Sequence, residues 1–301
     1  MSTKEFKKNF KLSHALAYYF ALPWIYFFSI LPLSLLYFIS SCFYILIYYI
    51  IGYRKKVVRK NLKNSFPNLS QDKIITIEKK FYQYLCDLIV EVIKSITINQ
   101  KTLLKRCKLS NPSFWKHWIE EKKSIIIVMG HHGNWELTSH AMALLSGYEL
   151  FGLYKPLKNT YFNEFLIRVR TKFGVRLINM HNPIRDFIQN KHLVAAYTFI
   201  ADQTPFPEGA YWTEFLHQDT PVFVGTEKIA KKFNYPVVFV ELKRPQRGYY
   251  EIHGELLCEH PKDMPEGMIT EIHTKRLEKA ILSQPEIWLW SHRRWKHQRK
   301  N

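Results

Sequence analysis

KSIIIVMGHHGNWELTSHAMALL, residues 123–145, changes its pattern halfway along. Its first seven residues form a short, continuous apolar run rich in Ile and Val, the composition of a strand buried on both faces. From residue 136 to 145 the apolar spacing becomes helical. Between the two lies Gly130-His131-His132-Gly133-Asn134-Trp135-Glu136, a loop at the carboxyl end of the strand. A strand, a tight turn and a helix N-terminus therefore follow in that order.

The alternation repeats downstream. Strands are predicted over 150–154, 175–179, 194–200, 236–242 and 250–256, and helices over 163–173, 183–190, 226–233 and 264–283, the last with Met264, Met268, Ile272 and Leu277 near one face. Upstream, residues 70–98 read as a helix or helix pair opened by a Ser and acidic residues. Alternating β and α of these lengths predicts an α/β fold with a mostly parallel central sheet flanked by helices, a final antiparallel strand being admissible. In such sheets the site lies beyond the carboxyl ends of the strands.

That places the loop at 130–136 where chemistry is expected. A neutral imidazole, with an ordinary pKa of about 6.5, suits the task of taking a proton from a hydroxyl nucleophile. A carboxylate on the second ring nitrogen would fix the tautomer and favour the imidazolium as it forms. His131 is the candidate base and Glu136 its orienting partner. On a continuous helix the two would diverge, but Gly133 supplies the freedom for a bend that brings them together. Simple capping of the helix N-terminus is the competing reading. His132, Glu136 and His140 recur every four residues as zinc ligands can, but they lack the H-E-x-x-H order and a further ligand set, so no metal and no cofactor are expected.

The chain carries 44 Lys and Arg against 25 Asp and Glu, a formal net charge of +19. Such a surface attracts anions over about 8 Å at physiological salt, which admits anionic lipid, acidic carrier proteins and nucleic acid. No zinc-finger spacing, RNP-like motif or basic zipper accompanies the charge, so nucleic acid is not the expected partner. The four cysteines are scattered without a CxxC pair and read as free thiols in a reducing compartment.

Residues 14–53 contain no Asp, Glu, Lys or Arg, beyond what a soluble helix tolerates on all its faces. The stretch is long enough for one membrane span over about 33–52 preceded by an interfacial helix, or for a tight re-entrant pair. Pro23 and Pro32 mark kinks or breaks. Lys4, Lys7, Lys8 and Lys11 precede it, and the larger cluster Arg54, Lys55, Lys56, Arg59, Lys60 and Lys63 follows. By the positive-inside tendency the bulk of the chain lies in the cytoplasm. The division expected is a membrane anchor over 1–53 and a cytoplasmic domain over 54–301. A cleaved signal peptide is disfavoured by the length of the apolar stretch and by its Tyr-Arg-Lys-Lys ending.

Several motifs in order resemble the lipid A biosynthesis acyltransferases, the lauroyl/myristoyl transferase family. They are Tyr53-Arg54, Asn61-Leu62 and Ser65-Phe66-Pro67; then His131 to Glu136, similar to the family's H-x-x-x-x-D/E motif in its HxGNWE form, with His132 where many members carry Phe. Arg168-Val-Arg170-Thr-Lys-Phe-Gly174, Ala201-Asp202-Gln203-Thr204-Pro205 and Trp290-Ser-His292-Arg293-Arg294-Trp295-Lys296 complete the set, so the resemblance covers nearly the whole chain. It implies a glycerolipid acyltransferase-like fold on the bacterial inner membrane, catalytic domain on the cytoplasmic face. It also implies direct transfer of an acyl group from a thioester, on acyl carrier protein or as acyl-CoA, to a hydroxyl of a lipid A precursor. An aminolipid or glycolipid acceptor is the nearest alternative. A non-catalytic, membrane-tethered basic protein that holds anionic polymers is the alternative of another class.

Within that resemblance Arg170, whose planar fork suits phosphate or oxyanion oxygens, is a substrate-binding candidate. Asp202 and Gln203, where a strand ends, either position the acceptor or organise the Thr-Pro turn. Asn134 is expected to bond the loop or the substrate. Trp288, Trp290 and Trp295 with Arg293 and Arg294 read either as a lipid-headgroup surface or as an internal aromatic core with a solvated basic tail.

Overall fold

A computed structural model describes residues 12–299; Lys4, Lys7, Lys8 and Lys11 lie outside the described residues. Nine strands are found among them: β1 (Cys107–Leu109), β2 (Ile125–Met129), β3 (Glu149–Tyr154), β4 (Arg176–Asn179), β5 (Ala195–Ile200), β6 (Tyr211–Phe215), β7 (Gln218–Val222), β8 (Val237–Gln246) and β9 (Tyr249–Cys258). Seven form one sheet in the order β1-β9-β8-β2-β5-β3-β4. Every pairing in it is parallel except β8 with β9. The α/β expectation with one antiparallel pair therefore holds, while the separate β6–β7 hairpin was not predicted.

β2 lies between β5 and β8, and all five of its residues are buried. Successive side chains of a strand point to opposite faces. Ile126 and Val128 accordingly join one core, and Ile125, Ile127 and Met129 the other. Burial on both faces explains why the run is apolar throughout rather than alternating.

The helices are α1 (Leu12–Ile30), α2 (Leu33–Ile45, continued by a π-helical stretch Leu46–Ile51), α3 (Lys55–Ser65), α4 (Gln71–Ser95), α5 (Gln100–Arg106), α6 (Pro112–Glu120), α7 (Trp135–Leu145), α8 (Thr160–Thr171), α9 (Pro183–Gln189), α10 (Gly225–Phe233) and α11 (Met268–Ser283). α1 runs through Pro23 without interruption, and the break falls before Pro32. Gly52, at φ +66°, ends the π-helical stretch with its N–H on the Ile47 carbonyl. The segment Leu33–Ile51 is the one helix among the described residues long and apolar enough to cross a membrane.

α11 starts later than predicted and buries Ile269, His273, Leu277 and Ile281, leaving Met268 exposed. The inward stripe is thus shifted by one residue from the methionine series. Trp288 and Trp290 are buried, and Trp295 packs on Phe215 and Trp288. Of the two readings of this segment the aromatic core is the one observed, and Arg294 is buried with it.

Candidate active site

β2 and β5 are parallel neighbours with Met129 opposite Ile200. That register sets the residues two places beyond each strand end, His131 and Asp202, side by side. The His131 N–H donates to Asp202 Oδ2 at 2.7 Å, and His131 Nδ1 meets Asp202 Oδ1 at 2.5 Å. Trp288 Nε1 donates to Oδ2 at 2.8 Å. The Asp202 carboxylate is buried and accepts all three bonds. Burial alone would raise its pKa, but the His131 charge and hydrogen bonds, with that from Trp288, hold it well below the usual carboxylate range.

The same contacts act on the ring. Burial pulls the His131 pKa down, yet the charge and hydrogen bond of Asp202, and more weakly the charge of Glu136, outweigh it and leave it raised. With a carboxylate on Nδ1, the proton of neutral His131 sits there and Nε2 carries the lone pair. Gln203 Nε2 stands 3.3 Å from that nitrogen, and Gln203 is exposed. The Trp135 ring meets the imidazole edge to face, centroids 4.7 Å apart.

Glu136 does not take the orienting position expected of it. Its carboxylate grips the Arg170 fork, accepting from Nε at 2.9 Å and from Nη2 in a second, shorter contact. The reason is placement. Glu136 stands in the first turn of α7 and faces the last turn of α8, which carries Arg170, whereas β5 delivers Asp202 to the ring directly. The ion pair is partly exposed, at 32% for Arg170 and 19% for Glu136. Arg170 is therefore a paired cation at the rim.

Asn134 is fully buried. Its Oδ1 caps α7 by accepting from the Leu137 N–H at 2.9 Å, and its Nδ2 donates to Glu91 Oε2 at 2.7 Å. The amide thus ties the loop to α7 and α4, so of the two roles expected of Asn134 the structural one is observed and its side chain is not turned to a substrate. His132 turns away to the Gln284 carbonyl at 3.0 Å, and His140 packs on Phe173. With Glu136 on Arg170, these three side chains address three separate partners.

The loop's course depends on its glycines. Gly133 sits at φ +74°, and a Cβ there would come within 2.7 Å of Leu242 Cβ. A Cβ on Gly130 would meet Leu277 at 2.6 Å and Asp202 Oδ2 at 3.1 Å. Tyr84 from α4 adds a 2.6 Å bond to the Gly133 carbonyl.

Trp288 and Tyr84 escaped the sequence reading as contributors to this site, since neither lies in a chemically marked motif. Behind Asp202 lies a small cavity shared by His273, Thr274, Leu277 and Arg294. Burial lowers the His273 pKa to about 4, and it lowers that of Arg294 to about 10 against the opposing charge of Asp202.

No curated protein matches the chain. A family model described as bacterial lipid A biosynthesis acyltransferase matches residues 3–297, almost the entire length. With all but the first two and last four residues matched, the chain belongs to the bacterial lipid A biosynthesis acyltransferase family.

Proposed function

We propose that the protein transfers a fatty acyl chain from a thioester, carried by acyl carrier protein, to a hydroxyl of a lipid A precursor, with His131 as general base. The observation that carries the base assignment is the His131–Asp202 pair, which fixes the proton on Nδ1 and turns the basic Nε2 toward exposed Gln203. An incoming hydroxyl takes the place of the Gln203 amide at Nε2. As its oxygen attacks the thioester carbonyl, Nε2 accepts its proton, and Asp202 stabilises the imidazolium. Collapse of the tetrahedral species breaks the C–S bond, and the imidazolium returns the proton to the leaving thiolate. The ester C–O bond is formed and no acyl group rests on the enzyme.

Arg170 serves in this reading as a cation for the oxyanion or for a phosphate of the acceptor, with Glu136 holding its fork in place. Gln203, exposed beside Nε2, lines the acceptor side, whereas buried Asp202, expected from the sequence to position the acceptor or organise its turn, instead acts through His131. The exposed apolar residues of α1 and α2, followed by the basic α3, support attachment to the bacterial inner membrane with the site on the cytoplasmic face. An acidic carrier protein suits the net charge of +19.

The test is a purified-enzyme assay with acyl carrier protein and CoA thioesters against lipid A precursors, aminolipids and glycolipids, read by mass spectrometry. The expected result is a mass gain of one acyl chain on the lipid A precursor, lost in His131→Ala. Turnover unchanged in His131→Ala would remove the base assignment, and acylation of a different amphiphile alone would replace the acceptor.

A further inference from the structure

The apolar helix α2 is bound to the catalytic domain along its whole length by polar contacts. Tyr48 Oη donates to Glu78 at 3.0 Å, Ser40 Oγ to Asp87 at 2.6 Å, and Tyr37 Oη to Glu91 at 2.9 Å. The partners advance along α4 as the donors retreat along α2, so the two helices run antiparallel, side by side. At the far end Lys94 Nζ donates to the Ser29 and Leu31 carbonyls, each at 2.9 Å, closing the turn between α1 and α2. From the β8–β9 turn, Arg247 reaches the Tyr37 carbonyl and Ser41 Oγ, and it pairs with Asp87 as Arg244 does.

The opposite face of α2 carries Phe38, Phe43, Ile45, Tyr49 and Ile50, all exposed. α1 repeats the arrangement. Tyr18 packs on Tyr161, Phe162 and Phe165 of α8, while Leu16, Phe20, Trp24 and Phe27 face outward. One side of each helix is stitched to the domain and the other is bare hydrocarbon, a pattern that calls for an apolar partner.

A crossing orientation conflicts with this docking. Ser40 lies near the middle of α2, so placing α2 across a bilayer would carry Asp87, Arg244 and Arg247 to mid-depth. Each such charge costs about 2.5–3.5 kcal/mol at the bilayer centre on insertion scales. Undocking α2 instead would strip Asp87, Glu91 and Glu78 of bonds made in a buried setting. An orientation along the membrane plane keeps every bond and buries both bare faces. It also puts Lys56, Lys60 and Lys63, exposed at helical spacing on α3 directly after the apolar stretch, at headgroup level.

We propose that α1 and α2 lie in the plane of a single leaflet of an anionic bilayer and do not cross it; this rests on the membrane-attached reading above. The full chain carries its own probe site, because Cys42 is exposed on the outer face of α2 while Cys86, Cys107 and Cys258 are buried. Nitroxide labels are placed at Cys42 and, in a Cys42→Ser background, at Phe38→Cys, Leu46→Cys and Ile50→Cys. Depth is read from collision with oxygen and with a water-soluble nickel chelate, in vesicles of phosphatidylethanolamine and phosphatidylglycerol. The expected result is one shallow depth at all four positions, within about 5–10 Å of the headgroups. A profile deepest at residue 42 and rising toward residue 50, about 12 Å away along a crossing helix, overturns the in-plane orientation and leaves membrane attachment standing. Nickel access at every position in protein that fails to float with the vesicles overturns the attachment reading and the orientation with it.

Discussion

Asp202 makes His131 a better base than its apolar setting alone would allow. In the proposed reaction the ring must be neutral to accept a proton, and its pKa is raised above the ordinary value, so activity should rise with pH through a limb above about 6.5. Asp202→Asn removes the charge and replaces one acceptor oxygen by a donor NH2, so the hold on the Nδ1–H tautomer weakens; the limb should move to lower pH while kcat falls on the order of 10²–10⁴-fold. A kcat–pH profile of the two proteins reads both effects. Arg170→Ala leaves the Glu136 carboxylate without its cation, and its pull on the imidazole grows. The limb should then shift to higher pH, the opposite direction, which proton-resonance titration of His131 would record. Asn134 gives a third contrast. As a cap and a partner of Glu91, its change to Ala should lower stability by about 1–3 kcal/mol in urea unfolding and leave KM for the acceptor unaltered.

At the scale of elements, the turn from β2 into α7 shapes the site. Gly133 combines a left-handed φ with contact against Leu242, so two separate penalties meet in one residue. Gly133→Ala should cost about 2–4 kcal/mol by denaturant midpoint, more than a positive φ alone would impose. β2 itself was readable because both of its faces are buried, leaving an unbroken apolar run. The β6–β7 hairpin was not, since Tyr211–Phe215 and Gln218–Val222 mix polar and apolar residues without strict alternation. α3 shows in the sequence as a basic cluster and the Asn61-Leu62 motif, not as a helix. Its burial of Val58 and Leu62 against the core is a sparse apolar stripe among lysines, easily masked by charge.

Across the whole molecule, Asp87 ties three regions together. Its carboxylate receives Ser40 from α2 and both Arg244 and Arg247 from the sheet's antiparallel pair. Asp87→Ala leaves a mostly buried arginine unpaired and removes one of the polar tethers, that to Ser40, between the apolar helix and the domain. A loss of about 3–5 kcal/mol is expected, measured as a fall in thermal midpoint in detergent. Changing the exposed Lys80 to Ala instead should leave the midpoint within about 0.5 kcal/mol.

The amino-acid order alone determined the alternation of strands and helices, the position of His131 past a buried strand, the length of the apolar segment and the family. Those are local properties, written in periodicity, composition and consecutive motifs. Which carboxylate meets His131 was decided only by the fold. Glu136 is five residues away and Asp202 seventy-one, yet the register of β2 on β5 brings the distant one to Nδ1, while α8 claims the near one through Arg170. The same holds for α2, whose apolar character is plain from composition but whose docking on α4 depends on side chains far apart in the chain. Contacts of that kind arise from strand order and helix packing, which no stretch of sequence carries within itself.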